Sequence, residues 1–128
     1  MIDDRQTTSS SCLDGLPIWS REANKFGWTS YLGDLYGTDD IPIYAAAARA
    51  DDLTKLPPAL VIVGGADGFR DENIEYARRL GQAGVATDLC VIAGAPHGVQ
   101  MFIGTTPERR WSRAVSEWLQ PHLSAEQP

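Results

Sequence analysis

The sequence contains few residues that could tie a small fold together through covalent bonds or metal ions. Its two cysteines, Cys12 and Cys90, are too few for a disulfide framework and lack the Cys-x-x-Cys spacing of zinc and redox motifs. Apolar runs are short, and none approaches the roughly 18 residues that a bilayer span requires. The first residues lack the basic segment and apolar stretch of a signal peptide. We therefore expect no bound metal, no membrane partner and a cytoplasmic location.

Positive charge is scarce as well. The chain has 11 Lys and Arg residues against 17 Asp and Glu residues, which gives a formal net charge of −6 and a pI near 4.7. Nucleic acids and anionic membranes are bound through a positively charged surface. The charge balance therefore argues against both as partners and is typical of a solvated acidic surface.

What remains is the composition of an ordered globular chain, with 43% hydrophobic and 22% charged residues. A chain of 128 residues forms one domain at most and can bury roughly two-thirds of its unfolded surface. The patterns divide it into two parts. Helices and loops are expected in about 1–55, and a more regular unit in 56–128.

The first part carries the weaker signals. Residues 1–15 include a Thr/Ser-rich stretch with little apolar surface, which predicts a loop. Across residues 17–32 apolar side chains recur at three- to five-residue steps and Gly33 follows, which predicts an amphipathic helix with a glycine cap. The Ala-rich segment 43–50 predicts a further short helix.

The second part reads as strand, helix, strand, helix. The continuous apolar run 59–63 lies between Pro-Pro and Gly-Gly, which predicts a strand buried on both faces of a parallel sheet. Residues 71–83 repeat at helical spacing, and 89–92 predict a second strand. A last helix is expected from Thr105 or Thr106 to Pro121. The fold class is therefore α/β, with a short parallel sheet flanked by helices.

Two polar residues follow the two predicted strands. Asp67 comes after the first strand, and His97 follows the second, 30 residues later. The carboxyl ends of parallel strands share one edge of the sheet, and neighbouring strands lie about 5 Å apart, so the two side chains are expected within reach. A carboxylate can then accept the imidazole Nδ1 proton. By pattern alone, an aspartate at this position is more often a helix cap or turn residue, and a histidine in a Gly/Pro loop is more often an exposed turn residue than a base.

Both loops, together with the residues around them, resemble the C-terminal part of the hormone-sensitive-lipase-like esterases of the α/β-hydrolase fold. The resemblance covers nearly the whole chain and is carried by the following segments: Asp3-Asp4-Arg5, Gly27-Trp28, Tyr31-Leu32-Gly33, Tyr44-Ala45-Ala46, Leu56-Pro57-Pro58-Ala59, Gly64-Gly65-Ala66-Asp67, Arg70-Asp71-Glu72, Ala83-Gly84-Val85 and Gly94-Ala95-Pro96-His97-Gly98. It implies that residues 1–128 are a partial α/β-hydrolase domain, with cap-like elements in about 1–55.

The resemblance also implies roles for individual residues. Asp67 matches the acid and His97 the base of a serine esterase that hydrolyses small-molecule carboxylic esters without metal or cofactor. Three further residues accompany the acid as supporting residues, and three aromatic residues lie where such enzymes contact substrate. The supporting residues are Arg70, Asp71 and Glu72, and the pocket candidates are Trp19, Phe26 and Trp28.

The nucleophile and oxyanion-hole motifs of that family are missing. The chain has no Gly-x-Ser-x-Gly and no His-Gly-Gly segment. Without them the covalent route and several kcal/mol of barrier lowering are lost, so we expect the chain alone to be inactive or very weak. It can be the C-terminal part of an esterase, a non-catalytic half-fold that oligomerises or pairs with the missing half through an open sheet edge, or a degenerate catalyst in which His97 activates water.

Overall fold

The computed structural model describes residues 1–12 and 18–124, and within this part the chain forms four α-helices and two strands. Three short 3₁₀ turns lie at Gly33–Leu35, Ala47–Arg49 and Val99–Met101. In chain order, the helices and strands are α1 (Thr8–Cys12), α2 (Arg21–Leu32), β1 (Ala59–Gly64), α3 (Arg70–Gln82), β2 (Thr87–Ile92) and α4 (Thr106–Ser124).

The two strands form a parallel sheet with α3 as the crossover between them. The register runs from Ala59 opposite Thr87 to Gly64 opposite Ile92, so both strands end at the same level. The loops that follow β1 and β2 therefore leave the sheet side by side. The predicted α/β class, with a short parallel sheet and flanking helices, is confirmed.

Each face of the sheet carries its own hydrophobic cluster. On one face, Leu53, Leu80 and Val85 are buried against the strand residues Ala59 and Val61. The opposite face packs Ile92, Ala95 and Val99 with the half-buried residues Ile62, Cys90 and Trp111. A third cluster, formed by Trp28, Leu32, Ile41 and Ala46, lies in the first part of the chain.

The prediction that β1 is buried on both faces is wrong for most of its length. Its first four residues are half-buried, and only Val63 and Gly64 are fully buried. The described part of the chain supplies only one neighbouring strand, so the outer edge of β1 and much of its faces remain open.

Helix α2 begins later than predicted and ends as predicted. The Ser20 hydroxyl accepts a hydrogen bond from the Ala23 amide at 3.2 Å, which fixes the start at Arg21. Gly33 has a φ of 55°, a value that favours glycine, and ends the helix. The predicted start near Pro17 lies outside the described residues.

Three other boundaries differ from the prediction. Residues 8–12 of the expected loop form α1, because Thr7 and Ser10 exchange side-chain and backbone hydrogen bonds around its first turn. Of the helix expected over 43–50, only the turn Ala47–Arg49 forms. Helix α4 continues past the predicted end at Pro121 to Ser124, with the proline inside its last turns.

Candidate active site

Asp67 lies in the tight turn between β1 and α3. Its backbone amide donates to the Gly64 carbonyl at 3.2 Å, and its carbonyl accepts from the Arg70 amide at 3.0 Å. Its side chain is 9% exposed, and Oδ1 accepts the Phe69 amide proton at 2.9 Å. Asp67 is therefore a turn residue whose carboxylate keeps a second oxygen, Oδ2, for another partner.

That partner is His97. The distance between His97 Nδ1 and Asp67 Oδ2 is 3.0 Å, while the imidazole remains 38% exposed. A carboxylate can only accept, so this contact places the ring proton on Nδ1 and leaves Nε2 as a proton acceptor. The structure thus brings together the two residues that the spacing of the loops placed at one sheet edge.

The two loops are joined through their backbones. The Gly65 amide donates to the Ile92 carbonyl at 2.7 Å, and the Ala66 amide donates to the Ala95 carbonyl at 3.0 Å. A Cβ added at Gly64 would lie 2.1 Å from the Ala95 carbonyl oxygen, far inside van der Waals contact. Only glycine at this position allows the loops to approach so closely.

Aromatic side chains enclose one side of the imidazole. Phe69 meets the His97 ring edge-on, with ring centroids 4.9 Å apart and an interplanar angle of 76°. Trp19 lies 6.1 Å from both rings, measured between centroids. Such edge-to-face contacts restrict the ring orientation of His97. The sequence pattern did not single out Phe69, which reads as an ordinary apolar residue before a helix.

The three supporting residues have different surroundings. Arg70 donates to the Gly65 carbonyl at 3.2 Å and to Asp71 at 2.9 Å. Glu72 is 2% exposed and accepts the Ile2 amide proton at 2.8 Å. Burial raises the pKa of Glu72 to about 7, although the hydrogen bond from Ile2 opposes this rise. These residues hold the loop and the start of α3, and none of the hydrogen bonds found for them reaches His97.

Asp71 contacts a residue that sequence reasoning missed. Ser9, in α1, donates its amide proton to Asp71 Oδ2 at 2.7 Å. Burial pushes the pKa of Asp71 upward, but the hydrogen bonds from Arg70 and Ser9 outweigh it and lower the pKa below its ordinary value. Nothing in the Thr/Ser run 7–11 distinguishes Ser9 from its neighbours, because its partners are 59 and 62 residues away.

The three pocket candidates are separated by the fold. Trp19 is half-buried beside His97, and its indole NH lies 3.5 Å from Asn24 Oδ1. Phe26 is 72% exposed on α2, whereas Trp28 is 1% exposed in the hydrophobic core. A side chain as enclosed as Trp28 packs rather than presents a face to a ligand, so Trp19 is the candidate that lies at the site.

Within residues 1–12 and 18–124, the structure contains no group of three or more His, Cys, Asp or Glu side chains that could hold a metal ion. The same part of the chain contains no helix long and apolar enough to cross a membrane.

The chain is similar to curated esterases over part of their length. It is 45% identical over 85 residues to the carboxylic ester hydrolase LipN of Mycobacterium tuberculosis, covering 66% of this chain and 22% of that protein. It is 41% identical over 68 residues to the ethyl acetate hydrolase of Pseudomonas putida, covering 52% of this chain and 21% of that protein. The chain thus spans about a fifth of the length of these relatives.

The solved structures that resemble this chain include esterases, as its sequence relatives do. A bacterial heroin esterase superposes with a TM-score of 0.84 at 38% identity, covering 89% of this chain and 37% of that one. The esterase LipW from Mycobacterium marinum superposes with a TM-score of 0.78 at 34% identity, covering 87% of this chain and 34% of that one. The model of a family with the alpha/beta hydrolase fold matches residues 2–101. Because this match covers well over half of the chain, the chain belongs to the α/β-hydrolase family, and its relatives there are esterases of the hormone-sensitive-lipase-like group.

Proposed function

We propose that this chain supplies the acid and the base of a serine carboxylesterase that acts on small-molecule esters. Asp67 is the acid and His97 is the base. The observation that carries the proposal is the 3.0 Å contact between Nδ1 and Oδ2, which leaves Nε2 as the acceptor for a nucleophile's proton. The serine and the oxyanion donors belong to sequence outside these 128 residues, because the chain contains neither motif.

In this mechanism His97 Nε2 takes the proton of the serine hydroxyl as its oxygen attacks the ester carbonyl carbon. The buried Asp67 carboxylate stabilises the imidazolium that forms, and the imidazolium then protonates the departing alcohol. Water repeats the sequence on the acyl-enzyme, with His97 again as the base. The exposure of the imidazole suits this role, because Nε2 must meet the nucleophile.

The chain alone is expected to lack efficient esterase activity. It has no serine in a nucleophile elbow, and loss of oxyanion donors removes roughly 3–4 kcal/mol of transition-state stabilisation. Fluorophosphonate labelling measured by intact mass, run beside an aryl-ester assay, checks this. We expect no adduct and no turnover above buffer. A single stoichiometric adduct with turnover would show that a serine of this chain is activated and would contradict the proposal.

The positive test is a chimera. Residues 2–101 replace the corresponding segment of the bacterial heroin esterase, to which this chain is 38% identical. We expect ester hydrolysis that falls roughly 10⁶-fold in His97→Ala and roughly 10⁴-fold in Asp67→Asn. Gln100→Ala, an exposed position close to His97, serves as the control and should keep activity. Equal activity in the His97→Ala chimera would overturn the assignment.

A second candidate function is that of a non-catalytic half-fold that pairs through its open sheet edge. A groove of about 420 Å³ runs along β1 between α3 and α4, with Val61, Tyr76 and Trp111 in its walls. Leu89 and Val91 of β2 are also exposed. Unpaired strand edges with apolar flanks favour association with a second copy or with the rest of the parent enzyme. A monomer in sedimentation velocity at micromolar concentration would count against it.

A further inference from the structure

Ser9 carries a buried hydroxyl at the edge of the site. It is 1% exposed and lies in α1, a part of the chain remote in sequence from both loops. Its Oγ donates to the Gly68 carbonyl at 2.8 Å and accepts from the Asp71 amide at 3.1 Å. Its own amide donates to Asp71 Oδ2 at 2.7 Å. A single small residue thus makes three hydrogen bonds to the loop that carries the acid.

These bonds act on the peptide units that follow Asp67. Gly68 is its immediate neighbour, and the next amide, that of Phe69, is the donor to Asp67 Oδ1. The Ser9 hydroxyl therefore binds the Gly68 carbonyl. This carbonyl belongs to the same peptide group as the Phe69 amide that orients the Asp67 carboxylate. The other end of the loop is fixed by the Ala66 amide on the Ala95 carbonyl. Because both ends of the loop are held, the backbone restricts the side-chain rotation of Asp67 and so the direction of its carboxylate.

The Ser9 contact to Asp71 is charge-assisted. The hydrogen bonds from Arg70 and Ser9 lower the pKa of Asp71 against the effect of burial, so Asp71 is an ionised acceptor near neutral pH. Charge-assisted bonds are shorter and stronger than neutral ones, and this one measures 2.7 Å. Ser9 therefore attaches α1 firmly to the first turn of α3, and Gly68 lies between the two contacts.

We propose that Ser9 is a positioning residue that sets the Asp67–His97 contact by clamping residues 68–71 against α1. It acts through Asp67 and touches neither His97 nor a substrate. The contacts of Ser9 with residues 68–71 are features of the structure, and their effect on catalysis rests on the proposed function. A displacement of about 1 Å in a catalytic group costs on the order of 100-fold in rate, so the clamp matters without contributing a reacting atom.

The readout is the tautomer of His97 in the isolated chain. An unconstrained neutral imidazole favours the Nε2–H tautomer, whereas the carboxylate contact selects Nδ1–H. Long-range ¹H–¹⁵N correlation of the ring protons, at a pH where the ring is neutral, measures the ratio directly. His97→Gln identifies the signals, because the chain has 2 histidines. A role in overall stability alone leaves the ratio unchanged in folded protein.

The test compares Ser9→Ala with Ser11→Ala. Ser11 is in the same helix, but its hydroxyl contacts only Gln6 at the surface among the hydrogen bonds found for it. Ser9→Ala removes the hydroxyl bonds to Gly68 and Asp71 and keeps the backbone amide bond to Asp71. We expect Ser11→Ala to keep the Nδ1–H tautomer and Ser9→Ala to shift the ratio roughly tenfold toward Nε2–H. Asp71→Asn is the second variant, which weakens the clamp while keeping its shape and should give a smaller shift in the same direction. A wild-type ratio in either folded Ser9→Ala or folded Asp71→Asn overturns the proposal.

The tautomer ratio and the activity of the chimera together distinguish a failure of this inference from a failure of the proposed function. If Ser9→Ala and Asp71→Asn shift the tautomer ratio but the esterase chimera does not depend on His97, the proposed function fails and the clamp stands. If the chimera depends on His97 and Ser9→Ala leaves the tautomer unchanged, the clamp fails and the function stands. In an active chimera, Ser9→Ala is expected to lower kcat about 10- to 100-fold with little change in KM.

Discussion

The loop after β1 and the loop after β2 each carry one polar residue of the site, but they are built differently. Residues 65–69, the acid loop, run directly into α3, and the side chain of Asp67 is only 9% exposed with hydrogen bonds to both oxygens. Residues 93–101, the base loop, end in a 3₁₀ turn, and the His97 side chain is 38% exposed, with Asp67 as its one hydrogen-bond partner in the described part of the chain. Asp67, the proposed acid, is fixed, while His97, the proposed base, stays accessible.

This difference fits the chemistry that each residue would perform. An acid that only orients and stabilises an imidazolium benefits from a rigid, buried position, where its charge interacts strongly. A base must reach a nucleophile and exchange protons, so it needs an open side. This contrast predicts that changes at Asp67 disturb the fold and His97 together, whereas changes at His97 spare the fold.

The largest expected effect comes from Glu72, in the first turn of α3 after the acid loop. Burial raises its pKa to about 7, against the opposing hydrogen bond from the Ile2 amide. Between its ordinary pKa of 4.5 and about 7, the folded protein keeps a proton that the unfolded chain has lost. The contribution of Glu72 to stability is therefore full below about pH 4.5 and lost as pH rises to about 7, by about 3 kcal/mol.

Urea unfolding at a series of pH values measures this slope. Glu72→Gln, which stays neutral, should remove the decline between pH 4.5 and 7. The control is Glu75→Gln, an exposed position on the same helix, which should leave that decline in place. A decline of the same size in Glu72→Gln would show that the buried carboxyl is not its source.

The next effect is that of Gly64→Ala, which tests the joint between the loops. The added methyl group would collide with the Ala95 carbonyl, and a backbone atom cannot move aside as a flexible side chain does. We expect a loss of roughly 1–3 kcal/mol in the free energy of unfolding and a shift of the His97 tautomer. Gly81→Ala is the matched control, since a Cβ at that helical position meets nothing within 4 Å and should stabilise the protein by about 0.5–1 kcal/mol. Equal stability of the two variants would refute the steric argument.

Asp67→Ala isolates the acid itself. It leaves the Phe69 amide, in a buried contact, without its acceptor and removes the only partner found for His97 Nδ1. We expect a loss of about 1–2 kcal/mol on urea unfolding, together with the tautomer shift. The effect is smaller than that of Gly64→Ala because the loop backbone can keep its hydrogen bonds. Unchanged ring nitrogen signals in a folded variant would argue against the Asp67–His97 contact.

The smallest effect is expected for His97→Ala. The imidazole is partly exposed and makes a single hydrogen bond within residues 1–12 and 18–124, so its loss should cost less than about 1 kcal/mol in stability. The same urea series measures it. A larger cost for His97→Ala than for Asp67→Ala would reverse the contrast between a fixed acid and an accessible base.

The strand–helix–strand–helix order was predictable because each element has a local signal. The apolar run 59–63, the helical repeat up to Gly84 and the run 89–92 are each decided by neighbouring residues, and the observed bounds differ by few positions. The pairing of Asp67 with His97 followed from the rule that loops after parallel strands share an edge. Burial was predicted less well, since exposure of β1 depends on what lies beside it.

The sequence by itself determined the α/β class, the two loops and the residue types that make an acid–base pair, because propensity and hydrophobic period are local properties. Only the tertiary structure decided that Ser9 clamps the acid loop, that Glu72 is buried, and that Trp19 rather than Trp28 lies beside His97. Those contacts join residues that are tens of positions apart. Their geometry is fixed by how helices dock on the sheet, which no local pattern specifies.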